Sequence, residues 1–191
     1  MKPVRIGTLW MLSLAVLACG DAGGEGAEPE GSAAPTREAV GNARVILSAL
    51  DSVSADLVDG GGLASSGARL TLLAAYTAAA DFDGDGVPER AALVTAEPGG
   101  DRVFMGIVGF RASADGAVQV ADKLLGDRQE IHRFESVGDS LRVVLTTQGP
   151  DDEACCPTRR AEQIYRIDGG TWRLWRDNTI DPSVGGAEAQ Q

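Results

Sequence analysis

The stretch EIHRFESVGDSLRVVLTT, residues 130–147, decides the fold. Gly138-Asp139 separates two short runs, the signal of a two-residue hairpin. In the second run Leu141, Val143 and Leu145 share one face, while Arg142, Val144 and Thr146 share the other. That period of two suits a strand with one face buried. The same punctuation recurs on both sides. Asp115-Gly116 separates VFMGIVGFRAS from AVQVADKLL, and Asp168-Gly169-Gly170 separates AEQIYRI from TWRLW. With strands flanking the acidic turn near residue 85, the count reaches about eight. Consecutive hairpins make the sheet antiparallel. The expected fold is therefore mainly β within the α+β class, a meander forming a sandwich or open barrel.

One N-terminal helix precedes the strands. In Thr36–Val58, residues Val40, Ala43, Leu47, Leu50 and Leu57 fall at helical spacing, and Thr36 after Pro35 suits an N-cap. Gly60-Gly61-Gly62 closes that segment.

The ends of the chain define its surroundings. Lys2 and Arg5 precede a largely apolar run, Ile6 to Ala18, too short to cross a bilayer, which needs roughly 20 residues. A basic start, a short apolar core and small residues at the end describe a secretory signal. Val16-Leu17-Ala18-Cys19 resembles the lipobox of bacterial lipoproteins. That resemblance implies cleavage after Ala18 and a lipid on Cys19. The expected location is the bacterial cell envelope, with the chain anchored by lipid on an extracytoplasmic face. Removing residues 1–18 deletes two cations and no acid, so the net charge of −11 becomes −13. Such a chain repels phosphate backbones, which excludes nucleic acid as a partner, and it suits divalent cations. Residues 20–36, GDAGGEGAEPEGSAAPT, hold no large apolar side chain and read as a flexible tether behind Cys19. A single globular domain is expected over 37–181, followed by a disordered tail over 182–191.

The acidic turn is DFDGDGVPE, Asp81 to Glu89. Asp81, Asp83 and Asp85 occupy positions one, three and five, Gly86 position six, Val87 position seven with its carbonyl, and Glu89 position nine. An EF-hand loop begins that way, and hard oxygen ligands suit calcium. Four carboxylates in one turn repel each other, and a divalent ion relieves that. Position twelve is Ala92, where an EF-hand places its bidentate glutamate, and the flanks read as strands. The turn resembles the strand-joining calcium loops of integrin-type FG-GAP and VCBS repeats, which close the site with an acid at position nine. The resemblance implies a structural calcium held by Asp81, Asp83, Asp85, Val87 and Glu89. The alternative is a solvated hairpin turn without metal, since Asp and Gly are common turn residues in their own right.

Cys155 and Cys156 sit in GPDDEACCPT, residues 149–158. Outside the cytoplasm they are expected to bond to each other. Adjacent Cα atoms lie only about 3.8 Å apart, so such a disulfide is strained and easily reduced. The alternative is a pair of buried thiols packed like small apolar residues.

Taken in order, the lipobox, the polar tether, the single DxDGDG loop, LGDR (Leu125 to Arg128) and DDxxCCP (Asp151 to Pro157) resemble small envelope lipoproteins of the LppP/LprE type. The resemblance covers about 110 residues, Arg69 to Arg176, and implies a location and a domain rather than a reaction. No nucleophile–base pair, GxSxG or phosphate loop is legible. His132, the sole histidine, reads as a surface or packing residue, and Asp127-Arg128 as a structural ion pair. Trp172, Trp175, Tyr165 and Phe134 read as core. The function expected is a lipid-anchored, non-catalytic binding or structural module, with an unidentified protein or envelope polymer as its partner. The alternative is an envelope hydrolase or thiol enzyme built from scattered acids or from Cys155 and Cys156.

Overall fold

A computed structural model describes residues 33–153 and 156–180. All three expected hairpins form, the second with its turn one residue earlier, at Ala114-Asp115 rather than Asp115-Gly116. Val137 pairs with Ser140, Ser113 with Gly116, and Asp168 with Thr171. Gly169 and Gly170 both take left-handed backbone (φ 58 and 78), the conformation that a tight two-residue hairpin demands.

The elements in chain order are α1 (Arg37–Gly41), β1 (Arg44–Leu47), β2 (Val53–Asp56), β3 (Gly61–Leu63), β4 (Arg69–Ala80), β5 (Glu89–Glu97), β6 (Phe104–Ser113), β7 (Gly116–Asp127), β8 (Glu130–Val137), β9 (Ser140–Thr147), β10 (Arg159–Asp168) and β11 (Thr171–Thr179). The protein is mostly β. β3 to β11 make one nine-stranded sheet, curled into a half-barrel, and β1–β2 make a small second sheet. This exceeds the eight strands expected. The extra strands come from the segment expected to be helical and from the Gly60–Gly62 run.

The N-terminal helix exists but is little more than one turn long. The Thr36 Oγ1 accepts from the Ala39 amide at 3.1 Å, as a cap should, and the helix stops at Asn42. Beyond it Val45 and Leu47 are buried while Arg44 and Ile46 are less so, a period of two. Val40, Ala43, Leu47 and Leu57 are all buried. Their helical spacing therefore coincided with a turn followed by a hairpin. Packing overrides the local pattern here, because Gln119 of β7 holds β1 like another strand. Its Nε2 donates to the Ile46 carbonyl at 2.9 Å, and its Oε1 accepts from the Ile46 amide at 2.8 Å.

The main sheet is two antiparallel runs rather than one meander. β3 through β7 follow in order, β8 through β11 form a second run, and the two join where β7 and β11 lie parallel. One bridge, Thr171 to Asp122, makes that join. Asp122 also accepts from the Ser48 amide at 2.8 Å and the Ser48 hydroxyl at 2.9 Å, docking the small sheet at the same place.

Two cores result. The first lies between the small sheet and one face of β4–β6, around Val45, Leu47, Leu70, Val94 and Phe110. The second lies inside the curl, around Phe82, Leu93, Ile107, Leu141 and Val143 of β9, Tyr165 and Trp172. β5 serves both, with Ala92 and Val94 facing the first and Ala91 and Leu93 the second. This explains why β5 reads as a continuous apolar run. Each large side chain buried in this way is worth about 1.5–3 kcal/mol. Gly109 of β6 gives the Trp172 indole room, since a Cβ there would stand 3.2 Å from its ring. A register shift in β4 between Leu72 and Thr77 bends the strand. Tyr76 meets Phe134 edge-on at 6.5 Å, drawing β4 toward β8.

Of the four aromatics expected inside, Trp172 and Tyr165 are fully buried and Phe134 is half-buried. Trp175 is 67% exposed and carries the Arg166 guanidinium 5.1 Å from its ring center. Counting by twos from Trp172 puts Trp175 on the opposite face of β11. It is also the residue left without a partner where the β10–β11 register shifts, between the pairs Tyr165–Leu174 and Ile164–Arg176.

Candidate cation site

The acidic turn joins β4 to β5, which pair through Ala80 and Glu89. Its aspartates first satisfy the turn's own backbone. Asp81 accepts from the amides of Gly84 (2.8 Å), Asp85 (3.1 Å) and Gly86 (2.9 Å). Asp83 accepts from the Asp85 amide at 3.1 Å, and Asp85 from the Val87 amide at 2.8 Å. Gly84 and Gly86 have φ of 77 and 90, backbone that an L side chain resists.

Glu89 differs from the aspartates. It is fully buried, and its Oε2 accepts from the Phe82 amide at 2.9 Å. Its other oxygen meets Arg111 of β6, from Nε at 3.0 Å and closely from Nη2. The same guanidinium reaches Asp83 at 2.8 Å and Asp85 at 2.9 Å. Arg90 pairs with Phe110 across the β5–β6 ladder, which sets Arg111 beside Glu89. Oxygens of Asp81, Asp83 and Glu89 all lie within 4.8 Å of one another. Thus the fold gathers three of the four expected carboxylates. Asp85 is drawn instead to Arg111 and to the amide of Val87, the fifth expected ligand.

Burial pushes the Glu89 carboxyl up, against the pull of Arg111 and the Phe82 amide. Asp85 is held low, chiefly by the Val87 amide, with Arg111 adding to it. The Glu89 hydrogen bond, together with the other acids, raises Arg111. One guanidinium among four carboxylates leaves the cluster negative. The donor set is all oxygen, as calcium prefers. Sequence reasoning passed over Arg111, which lies in an ordinary FRAS segment. Its place beside Glu89 comes from the β5–β6 register, for which no local sequence signal exists.

The second acid-rich stretch has a different organizer. Asp152 accepts from the Gly149 amide at 2.6 Å, the Thr158 amide at 2.7 Å and the Thr158 hydroxyl at 2.6 Å. These bonds, the Thr158 hydroxyl first, hold its carboxyl below the usual range. Asp152 thereby clips the two ends of the loop together. Cys155 lies outside the described residues, and with it the expected Cys155–Cys156 bond. Cys19, the signal segment, most of the tether and the 182–191 tail lie outside them as well. His132 is a surface residue, its Nε2 2.8 Å from the Thr146 hydroxyl. Arg128 pairs with Asp127 at 3.3 Å, and Asp127 accepts from the Val103 amide at 3.0 Å, so the LGDR turn fastens the β5–β6 loop.

Comparison with protein-family models, curated proteins and solved structures finds no match.

Proposed function

We propose that the chain is a lipid-anchored, non-catalytic β-domain of the bacterial cell envelope. It acts as a binding or structural module, and its acidic turn takes calcium as a structural ligand. The observation that carries the calcium reading is the charge imbalance between β4 and β5. Four carboxylates share the turn, a single guanidinium pairs with three of them, and oxygens of Asp81, Asp83 and Glu89 lie within 4.8 Å of each other. An ion among them would relieve the repulsion and tie β4 to β5. The anchor reading rests on the Val16–Cys19 lipobox, and the LppP/LprE-type resemblance supports the location.

Thermal unfolding with calcium and with a chelator tests the metal. Calcium at ten times its dissociation constant adds about 1.4 kcal/mol, so the midpoint should rise. Asp83→Asn should remove most of that rise. Equal midpoints in calcium and chelator would take calcium out of the account. Labeling of cells with radioactive palmitate tests the anchor. Cys19→Ala should abolish incorporation, and label persisting in that variant would refute it.

A further inference from the structure

We propose that a cleft at the loop end of the small sheet binds a small organic anion with an apolar body. The cleft is about 450 Å³, within the usual range for small-molecule sites. Three loops make it: the β1–β2 tip, the β3–β4 turn and the β5–β6 loop. Its floor opens on the first core, because Leu50, Val53 and Phe104 are half-buried side chains packed against that core. Ala64, Ala68 and Ala96 are small, and they leave the space unfilled.

The charge of the ligand follows from Arg102. Its guanidinium lies 5.9 Å from the Phe104 ring center, and no carboxylate among the described residues comes within 4 Å of it. Its neighbor Asp101 is turned to Arg128, at 3.7 Å. In a chain of net charge −11, an arginine left unpaired at the polar mouth of a cleft with an apolar floor is an anion receptor. The hydroxyls of Ser52 and Ser65 at the rim add donors. Asp51 is the other charged group lining the cleft, and it limits the anion to low charge.

The tip gives the cleft one firm wall. Asp51 and Ser52 take left-handed backbone, with φ of 50 and 56, as the central pair of a tight turn closed by the Val53 amide on the Leu50 carbonyl at 3.0 Å.

Octanoate and octanol, followed by NMR titration of the full chain, separate the head group from the tail. Octanoate should bind saturably and at least tenfold more tightly than octanol. Arg102→Gln should erase that tenfold preference while leaving octanol unchanged. Ala68→Leu, which fills the floor, should block both. Should that variant fail to fold, Ser65→Tyr at the exposed rim provides the same block. Absence of saturable binding, equal affinity for acid and alcohol, or an unaltered Arg102→Gln variant would each overturn the proposal.

Discussion

Two loops of this protein are rich in acid, and they manage it differently. The β4–β5 turn and the β9–β10 loop each use one aspartate, Asp81 or Asp152, to collect backbone hydrogen bonds. In the β9–β10 loop Asp152 bonds only its own loop, close to solvent. The β4–β5 turn adds a second layer, a buried Glu89 locked to Arg111 on the next strand. The difference is one of reach. A carboxylate that bonds its own loop fixes a local shape, whereas one that bonds a neighboring strand makes the loop part of the core. Charge crowding near a surface is inexpensive, but a buried carboxylate requires its partner.

Substitutions should separate the two devices sharply. Arg111→Met leaves Glu89 buried without its cation, and should cost about 3–5 kcal/mol in denaturant unfolding. Glu89→Gln in the same background should recover much of the loss. If Arg111→Met unfolds like the parent, the cross-strand lock contributes nothing and the two loops are alike. Asp81→Ala leaves the Gly84 and Gly86 amides without their acceptor, while the Asp85 amide keeps Asp83, and should cost about 0.5–1.5 kcal/mol because the turn is exposed. Asp152→Ala should cost a similar amount, because both loops are largely exposed. Its signature should be faster hydrogen exchange at Gly149 and Thr158, with the rest of the sheet unchanged. Exchange spreading into β9 and β10 would show that the Asp152 clip also reaches the core.

Acid should also tell the loops apart. Asp85 and Asp152 have carboxyls lowered in the folded state. Their contributions are complete above the unfolded value of about 3.9 and fade as pH falls through the lower folded value. Glu89 has the opposite sign. Its folded value is raised, so ionization works against folding, and acidification toward the unfolded value of about 4.3 relieves that cost. Stability curves should therefore show Asp152→Asn flattening the acid limb below about pH 4, and Glu89→Gln removing a gain that the parent shows just above it. Identical limbs in parent and Asp152→Asn would refute its lowered carboxyl. The smallest effect expected is on mass. Mild reductant should add two hydrogens to the folded chain if Cys155 and Cys156 are joined, and none if they are thiols.

Much of the sheet was legible, because turns and alternation are local. Gly138-Asp139 and Gly169-Gly170 announced their hairpins, and Leu141, Val143 and Leu145 announced the buried face. The region around β1 and β2 was not. Its apolar residues satisfied two periods at once, and Gln119, 73 residues from Ile46, decided between them. The candidate site followed the same rule. Spacing alone suggested that Asp81, Asp83 and Glu89 could meet. Arg111 depends on a register between strands, which no short motif encodes. Trp175 was assigned to the core on residue type, although alternation from Trp172 already pointed it the other way.

The single rung between Thr171 and Asp122 divides the nine-stranded sheet into two panels whose union rests mainly on the core they share. Sub-global opening should begin along that seam, where the fewest ladder bonds must break. Asp122 serves the seam with its backbone, which pairs with Thr171, and the small sheet with its carboxylate, which holds Ser48, so a shift of this one residue would be felt in three places that are remote from one another along the chain.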